Sequence, residues 1–280
     1  MSSRPTAIEA LTRKPSSSGL VLDFDGVLSP IVDDPATSAM PDYVVVTLRR
    51  LAGSLGLLAV ISGRPVAFLE DRVRVPGVPL LGSYGAEQSW DGERQVDPDA
   101  TNWLGQVHAA SDLLNERLGQ APGIRVEEKS VSVAVHWRQA PDHATAAQRV
   151  REVTVEVAAR TGLRLEPGKL VEELRPPINV DKGSAIARLL STRSDLTAFA
   201  YAGDDLGDIP ALEAVRDLPG GYALVVDHGQ ETDPRLLELA NETFPGTKAF
   251  AAWLEKLADA IGSSRGQAGD ETGAAPSKAG

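Results

Sequence analysis

A doubly wound α/β core with a smaller α+β insertion is the fold class that this 280-residue sequence predicts, from three observations. Short apolar runs alternate with segments of helical periodicity at both ends of the chain, as expected of a parallel sheet covered on both faces. Three of those runs stop in short polar segments: Asp23-Phe24-Asp25-Gly26, Ser62-Gly63-Arg64-Pro65 and Gly203-Asp204-Asp205. The middle of the chain, from about Asp99 to Pro177, breaks the alternation and reads helix, strand, strand, helix, strand, strand.

Taken in order, Leu20–Phe24 is the first strand. Asp42–Ala52 is helical, with Val45, Leu48, Leu51 and Ala52 on one face. Leu57–Ile61 is a second strand, and Pro65 suits the first turn of the helix after it. Pro79–Tyr84 is a third strand, followed by a small hairpin around Asp91-Gly92. In the middle, the helical stretch Trp103–Leu118 precedes strands Ile124–Lys129 and Val131–Trp137. The helical stretch Pro141–Thr161 precedes strands Leu163–Glu166 and Leu170–Arg175. The alternation then resumes with helix Lys182–Leu190, strand Thr197–Ala202, helix Pro210–Val215 and strand Tyr222–Val226. A closing helix, Lys248–Ile261, carries Phe250, Trp253, Leu254 and Leu257 at helical spacing. The predicted organisation is a flexible leader (residues 1–18), a core in two parts (19–98 and 178–262), an inserted cap (99–177) and a disordered tail (263–280) rich in Gly, Ser and Ala.

Composition narrows the function classes. Lys and Arg number 28 against 39 Asp and Glu, a net charge of −11, which gives no electrostatic basis for nucleic acid or an anionic membrane as the main partner. An anionic substrate would need a local cluster of donors or a metal. The absence of cysteine excludes disulfides, thiolate catalysis and Cys-zinc sites, and predicts a reducing, cytoplasmic setting. No apolar run reaches membrane-spanning length, and Met1–Ser18 lacks the apolar centre of a secretory signal.

Four segments carry chemistry. Asp23 and Asp25 stand two apart at the end of a strand, so a continuing strand would point both to one side. That end of an open α/β sheet is where ligands bind. One carboxylate can serve as nucleophile and the other can move protons. A calcium loop fails because Val27, Leu28, Pro30 and Ile31 follow, while a solvated turn is the alternative. Ser62 and Gly63 could hold a phosphate at a helix start, or Ser62 could be a plain N-cap. Lys182 falls in the first turn of a helix capped by Asp181, where a cation opposes the helix dipole unless it faces a phosphoryl group and a carboxylate. Asp204 and Asp205, with Asp208 one turn on, are common caps, but they also suit Mg²⁺, with Asp23, Asp204 and the Asp25 backbone carbonyl as ligands. Together the segments fit phosphoryl transfer through an aspartyl-phosphate. Asp23 attacks phosphorus and Asp25 serves as acid and then base, while Mg²⁺ and Lys182 offset the negative charge.

In this order, Asp23-x-Asp25, Ser62, Lys182 and Gly203-Asp204-Asp205-x-x-Asp208 resemble the four motifs of the haloacid dehalogenase superfamily of phosphohydrolases. The longer stretch Leu22-Asp23-Phe24-Asp25-Gly26-Val27-Leu28-Ser29-Pro30-Ile31-Val32-Asp33-Asp34-Pro35, with Ile61-Ser62-Gly63-Arg64, resembles the trehalose-6-phosphate phosphatases. The likeness runs from about Gly19 to Ile261. It implies a haloacid dehalogenase-like core with an αββαββ cap, Mg²⁺ as cofactor, and trehalose 6-phosphate as substrate. It also implies a functional link to a trehalose-6-phosphate synthase. The cap would close over the core from crossings near Asp97–Asp99 and Arg175–Asn179.

The insertion carries three polar pairs at i, i+2 on proposed strands: Glu127/Lys129, His136/Arg138 and Glu173/Arg175. Each pair would share one face of the cap sheet, either for sugar hydroxyls or as cross-strand ion pairs. By resemblance, Glu127, Lys129 and Glu173 contact the far glucose. Two departures stand out. Gly207 replaces a frequent threonine, and Tyr84, in Gly82-Ser83-Tyr84-Gly85, replaces a frequent histidine. Asp33 and Asp34 match the family without an assigned role. The alternatives are a phosphatase for another sugar phosphate, such as a glycosyl-phosphoglycerate, and a catalytically silent sugar-phosphate sensor or partner subunit.

Overall fold

A computed structural model of the protein describes residues 4–32, 34–168 and 170–270, with side chains as far as residue 263. The chain opens with α1 (Ala7–Arg13), β1 (Ser18–Asp23), α2 (Asp42–Ala52), β2 (Leu57–Ile61), α3 (Val66–Val73) and β3 (Leu80–Gly82). β4 (Glu87–Trp90) and β5 (Glu93–Val96) flank the expected turn, where Asp91 and Gly92 both take the positive φ that a two-residue hairpin loop demands. The middle holds α4 (Pro98–Thr101), α5 (Leu104–Leu118), β6 (Arg125–Glu128), β7 (Val133–His136), α6 (His143–Thr161), β8 (Arg164–Gly168) and β9 (Val171–Arg175). The chain returns through α7 (Lys182–Ser191), β10 (Ala198–Gly203), α8 (Ile209–Arg216), β11 (Gly221–Asp227), α9 (Pro234–Leu239), β12 (Glu242–Pro245) and α10 (Gly246–Asp270).

Residues up to Arg94 and from Asp181 onward form one compact unit, and Gln95–Val180 form a second. The first unit is built on an eight-stranded sheet in the order β12-β11-β10-β1-β2-β3-β4-β5. Pairing is parallel from β12 through β3, and β4 joins β3 antiparallel. From β1 the chain steps outward through β2 and β3, then returns to the other side of β1 through β10, β11 and β12. The order therefore reverses at β1, and the crevice at the strand ends there is where open α/β sheets bind ligands. Register sets Asp23 beside Ile61 and Leu22 beside Ala202, so three polar segments leave the sheet at one edge of that crevice.

Strand periodicity splits the core into two layers. Leu20, Leu22, Val60, Ala202 and Leu224 pack on one face with Leu11, Leu48, Leu69 and Phe250 from the helices. Val21, Ile61, Tyr201 and Val225 pack on the other with Ile186, Leu212 and Val215. The expected doubly wound core is thus present, with α9 and β12 added. Those two elements escaped notice because α9 has six residues and β12 reads Glu242-Thr243-Phe244-Pro245, with one buried side chain. The third strand stops at Gly82 instead of Tyr84, because Ser83 and Tyr84 take left-handed φ values that no strand allows.

Two terminal expectations change. The supposed flexible leader, residues 1–18, contains α1, a capping box between Thr6 and Glu9, and the buried Ala7 and Leu11. A seven-residue helix is too short to be evident by periodicity, and it is held by packing against α10. The supposed tail from Ser263 begins as helix, since α10 runs to Asp270, and residues 271–280 lie outside the described residues. Asp33 lies outside them too.

The second unit is a four-stranded antiparallel sheet, β6-β7-β9-β8, with α5 and α6 packed together against one face. Leu114, Val133, Val135, Val150 and Leu174 form its own core. Among the described residues, no helix is long and apolar enough to cross a membrane. Leu11→Ala should destabilise the protein by about 2–5 kcal/mol in denaturant unfolding if α1 is part of the folded core. A loss below about 0.5 kcal/mol, the level of a surface change, would show that α1 is not.

Candidate active site

Asp23 is the last residue of β1 and is 4% exposed; one of its oxygens accepts a hydrogen bond from the Phe24 amide at 2.7 Å. Lys182, 2% exposed, is the first residue of α7, behind a capping box formed by Asp181 and Ser184. Its Nζ lies 2.9 Å from Asp23 Oδ2 and 2.6 Å from Asp208 Oδ1. Asp208, fully buried, also accepts hydrogen bonds from the Tyr201 hydroxyl and from the amides of Asp204 (2.8 Å) and Asp205 (3.1 Å). Both Asp208 oxygens are thereby occupied: one aims Lys182 and the other fixes the turn after β10. Asp205 caps that turn, its Oδ1 accepting from the Gly207 amide at 2.8 Å.

Asp23, Asp204 and Asp208 present carboxylate oxygens within 4.8 Å of one another, a spacing suited to a hard cation. Gly26 makes room for this cluster. Its φ is +72°, and a Cβ there would lie 1.9 Å from Asp204 Oδ2. Burial, reinforced by Asp208, pushes the Asp23 carboxyl well above the ordinary range, against the pull of Lys182. Burial likewise carries Asp204 up to about 6, although a hydrogen bond with His228 works the other way. Asp208 is held low because Lys182 and its hydrogen bonds outweigh its own burial. Burial works against the Lys182 ammonium, but Asp208 and Asp23 overcome it and raise its pKa well above the usual value. The centre thus has one committed cation and three carboxylates, Asp23, Asp204 and Asp205, that resist ionisation, an arrangement that a further positive charge would relieve.

Asp25 behaves differently from its neighbour. The strand ends at Asp23, so the side-by-side projection expected from i, i+2 spacing is lost. Asp25 Oδ2 pairs with Arg64 Nε at 2.7 Å, and its Oδ1 accepts from Arg64 Nη2 at 3.1 Å and from Ser38 Oγ at 2.6 Å. Ser62 is buried, and its Oγ accepts from the Arg64 amide at 3.2 Å. It therefore shapes the turn before α3, whose N-cap is Pro65.

Sequence reasoning missed Tyr201, Ser38 and His228. His228 Nε2 sits 2.9 Å from the Gly26 carbonyl and 3.5 Å from Asp204 Oδ2. Its position just past β11, at the same end of the sheet, was the available signal. Tyr201 and Ser38 gave none, since a tyrosine inside an apolar strand reads as core and a lone serine reads as loop.

In the second unit, the strand register gathers the polar pairs on the face opposite α5 and α6. Lys129 Nζ reaches Glu173 Oε1 at 3.1 Å, and Ser132 Oγ donates to the same oxygen. His136 Nε2 contacts Glu127 Oε2 at 2.9 Å, and Arg175 Nη1 contacts Glu166 Oε2 at 2.8 Å. Partners therefore pair across strands, the ion-pair alternative weighed above, and Glu166 joins them unforeseen. The hydrogen bond with His136, with help from Arg125, holds the Glu127 carboxyl down at about 2 despite partial burial. Arg138 stands apart, exposed in the turn after β7.

Comparisons with known proteins place this arrangement. Residues 21–235 match the family model described as trehalose-phosphatase. A trehalose-phosphate phosphatase of Mycobacterium marinum is 36% identical over 245 residues, covering 83% of this chain and 61% of that protein. One of Mycobacterium avium is 36% identical over 278 residues, covering 93% and 68%. The chain thus spans only about three fifths of the length of the first of these relatives. A solved trehalose-6-phosphate phosphatase related protein superposes with a TM-score of 0.73 at 23% identity, covering 88% of this chain and 99% of its own. The C-terminal domain of the trehalose-6-phosphate phosphatase of C. albicans gives 0.71 at 21%, covering 90% and 95%. The solved structures share the fold, and the family match extends across the segments that carry Asp23, Lys182 and Asp204 to Asp208. On that evidence the chain belongs to the trehalose-phosphatase family.

Proposed function

We propose that this chain hydrolyses trehalose 6-phosphate to trehalose and phosphate, through an aspartyl-phosphate on Asp23 and with Mg²⁺ as cofactor. The observation that carries the reading is Asp23 itself, buried at the end of β1 with Lys182 at 2.9 Å and two further carboxylates within 4.8 Å. A carboxylate so crowded by like charge is costly unless it meets a cation and an electrophile.

In the first step an Asp23 oxygen forms a bond to phosphorus and the bond from phosphorus to the sugar oxygen breaks. That oxygen takes a proton from Asp25. In the second step water attacks phosphorus, Asp25 takes the water proton, and the bond to Asp23 breaks to release phosphate. Arg64 and Ser38 hold Asp25, and the second lone pair of its Oδ2 is where a proton can be taken up. Lys182 offsets charge on the transferring group, and Asp208 keeps it aimed. The hard-oxygen set fits Mg²⁺, with Asp23, Asp204 and the Asp25 backbone carbonyl as its ligands. When bound, that ion would neutralise charge on the phosphoryl oxygens. Asp208 is assigned a supporting role, because its oxygens are already committed. Ser62 and Gly63 are assigned to phosphate.

For the sugar, the reading assigns Glu127, Lys129 and Glu173, with His136, which also orients Glu127, and Arg175, paired with Glu166, as further contacts. Their internal ion pairs are pre-arranged donors and acceptors that hydroxyls can exchange into. Arg138 is left as an outlying candidate.

Asp23→Asn should lower kcat on trehalose 6-phosphate by at least about a thousandfold while the far-UV circular dichroism stays the same. Retained turnover would contradict the nucleophile. Mg²⁺ binding, measured by calorimetry on the metal-free protein, should weaken as pH falls through about 6, since Asp204 then holds a proton that the metal must displace. Equal affinity at pH 7.5 and 5 would remove Asp204 from the ligand set. Lys129→Ala should raise KM for trehalose 6-phosphate by about tenfold and leave p-nitrophenyl phosphate turnover nearly intact. Parallel loss on both substrates would argue against a sugar contact.

A further inference from the structure

The mechanism above leaves Tyr84 without a task, although its ring touches three of the segments that carry the chemistry. Tyr84 lies in the turn Ser83–Gly85 directly after β3, where three successive residues take positive φ values of 50°, 61° and 96°. Such a run is unfavourable for residues with a Cβ and, where it occurs, is over-determined by its surroundings. Here the Ser83 amide donates to the Arg64 carbonyl at 2.8 Å and the Tyr84 amide donates to the Ser62 carbonyl at 2.9 Å. Arg188 Nη2 donates to the Gly85 carbonyl at 3.1 Å, and a Cβ on Gly85 would lie 2.3 Å from the Ala185 Cβ. The turn is clamped between the phosphate segment on one side and α7, the helix of Lys182, on the other.

The ring makes use of that clamp. A Cβ on Gly63 would meet Tyr84 Cζ at 2.8 Å, Oη at 2.9 Å and Cε2 at 3.0 Å. A Cβ on Gly207 would meet Asp205 Oδ1 at 3.1 Å and Tyr84 Cε1 at 3.2 Å. Neither glycine has a left-handed φ, so the backbone at these positions would accept other residues. At Gly63 space is the constraint, and the ring alone supplies the three nearest atoms; at Gly207 the fit is tight. The Lys182 Nζ lies 6.0 Å from the ring centroid, on the outer limit of an attractive cation–π contact. Tyr84, Gly63 and Gly207 are thus neighbours in space.

We propose that Tyr84 is a positioning residue: its ring packs on Gly63 beside Gly207 and the Lys182 ammonium, and so holds the Ser62-Gly63 segment and that ammonium in place for the phosphoryl group. An aromatic face shields the ammonium from water, which leaves the carboxylates as its best partners. Glycine at 63 then follows from the bulk of the ring.

This inference builds on the phosphatase reading, and a double-mutant cycle between Gly63 and Tyr84 separates the two. Tyr84→Ala should lower kcat on trehalose 6-phosphate by about tenfold with KM within about threefold, and Tyr84→Phe, which restores the ring, should recover most of kcat. Gly63→Ala should cost about tenfold in kcat/KM beside Tyr84 and less than about threefold when added to Tyr84→Ala. Equal Gly63→Ala losses in both backgrounds, or full kcat in Tyr84→Ala, would overturn the proposal. A wild-type protein without turnover would overturn the phosphatase reading instead, and the cycle is then read in thermal unfolding. There Gly63→Ala should lower Tm with the ring present and not with it absent, and equal Tm losses would overturn the ring packing. Should Tyr84→Ala not fold, Tyr84→Leu takes its place in the same cycle.

Discussion

The Lys182 ammonium lies 2.9 Å from Asp23 and 2.6 Å from Asp208, with 2% of the residue exposed, and the rest of the catalytic end of the sheet is arranged around this contact. Removing any one of three buried charges strands the others, a loss of about 3–5 kcal/mol for a buried pair. The lysine therefore has a structural duty before it has a chemical one. It links the end of β1, the start of α7 and the turn after β10. Asp208 completes the link by holding Tyr201 and two backbone amides as well as the ammonium. Charge balance leaves the site suited to a further cation. One ammonium faces Asp23 and Asp208, while Asp204 lies beside His228, and burial carries it up to about 6.

Sheet order turns these local contacts into a site. Because the chain reverses direction of travel at β1, the polar ends of β1, β2 and β10 leave the sheet as neighbours. A residue two positions past the end of β1 is then free to turn elsewhere. Asp25 does so, toward Arg64 and Ser38, and this divergence gives two carboxylates of one short segment different environments. Environments that differ in this way are what separate a nucleophile from a proton carrier.

Much of this was legible in the sequence. The alternation of apolar runs and helical segments gave the core, and the αββαββ middle gave the second sheet. The clustered side chains Asp23, Lys182, Asp204 and Asp208 were visible because charged residues at the ends of apolar strands need a reason. What escaped was of two kinds. Elements held by tertiary packing alone, such as α1 and β12, carry too little periodicity to be read from a single sequence. Partners chosen across strands, such as Lys129 with Glu173 and His136 with Glu127, depend on a register that spacing along one strand cannot supply. The positive φ at Ser83 and Tyr84 belongs with these, since neither residue type advertises it.

The central claim is that Asp23 takes the phosphoryl group. Acid quenching of the wild-type protein during turnover of trehalose 6-phosphate with Mg²⁺, followed by peptide mass spectrometry, tests it directly. The account predicts a phosphoryl group on Asp23 within the peptide that contains β1. Turnover with the phosphoryl group on another residue, or with none on the protein at any quench time, would contradict it.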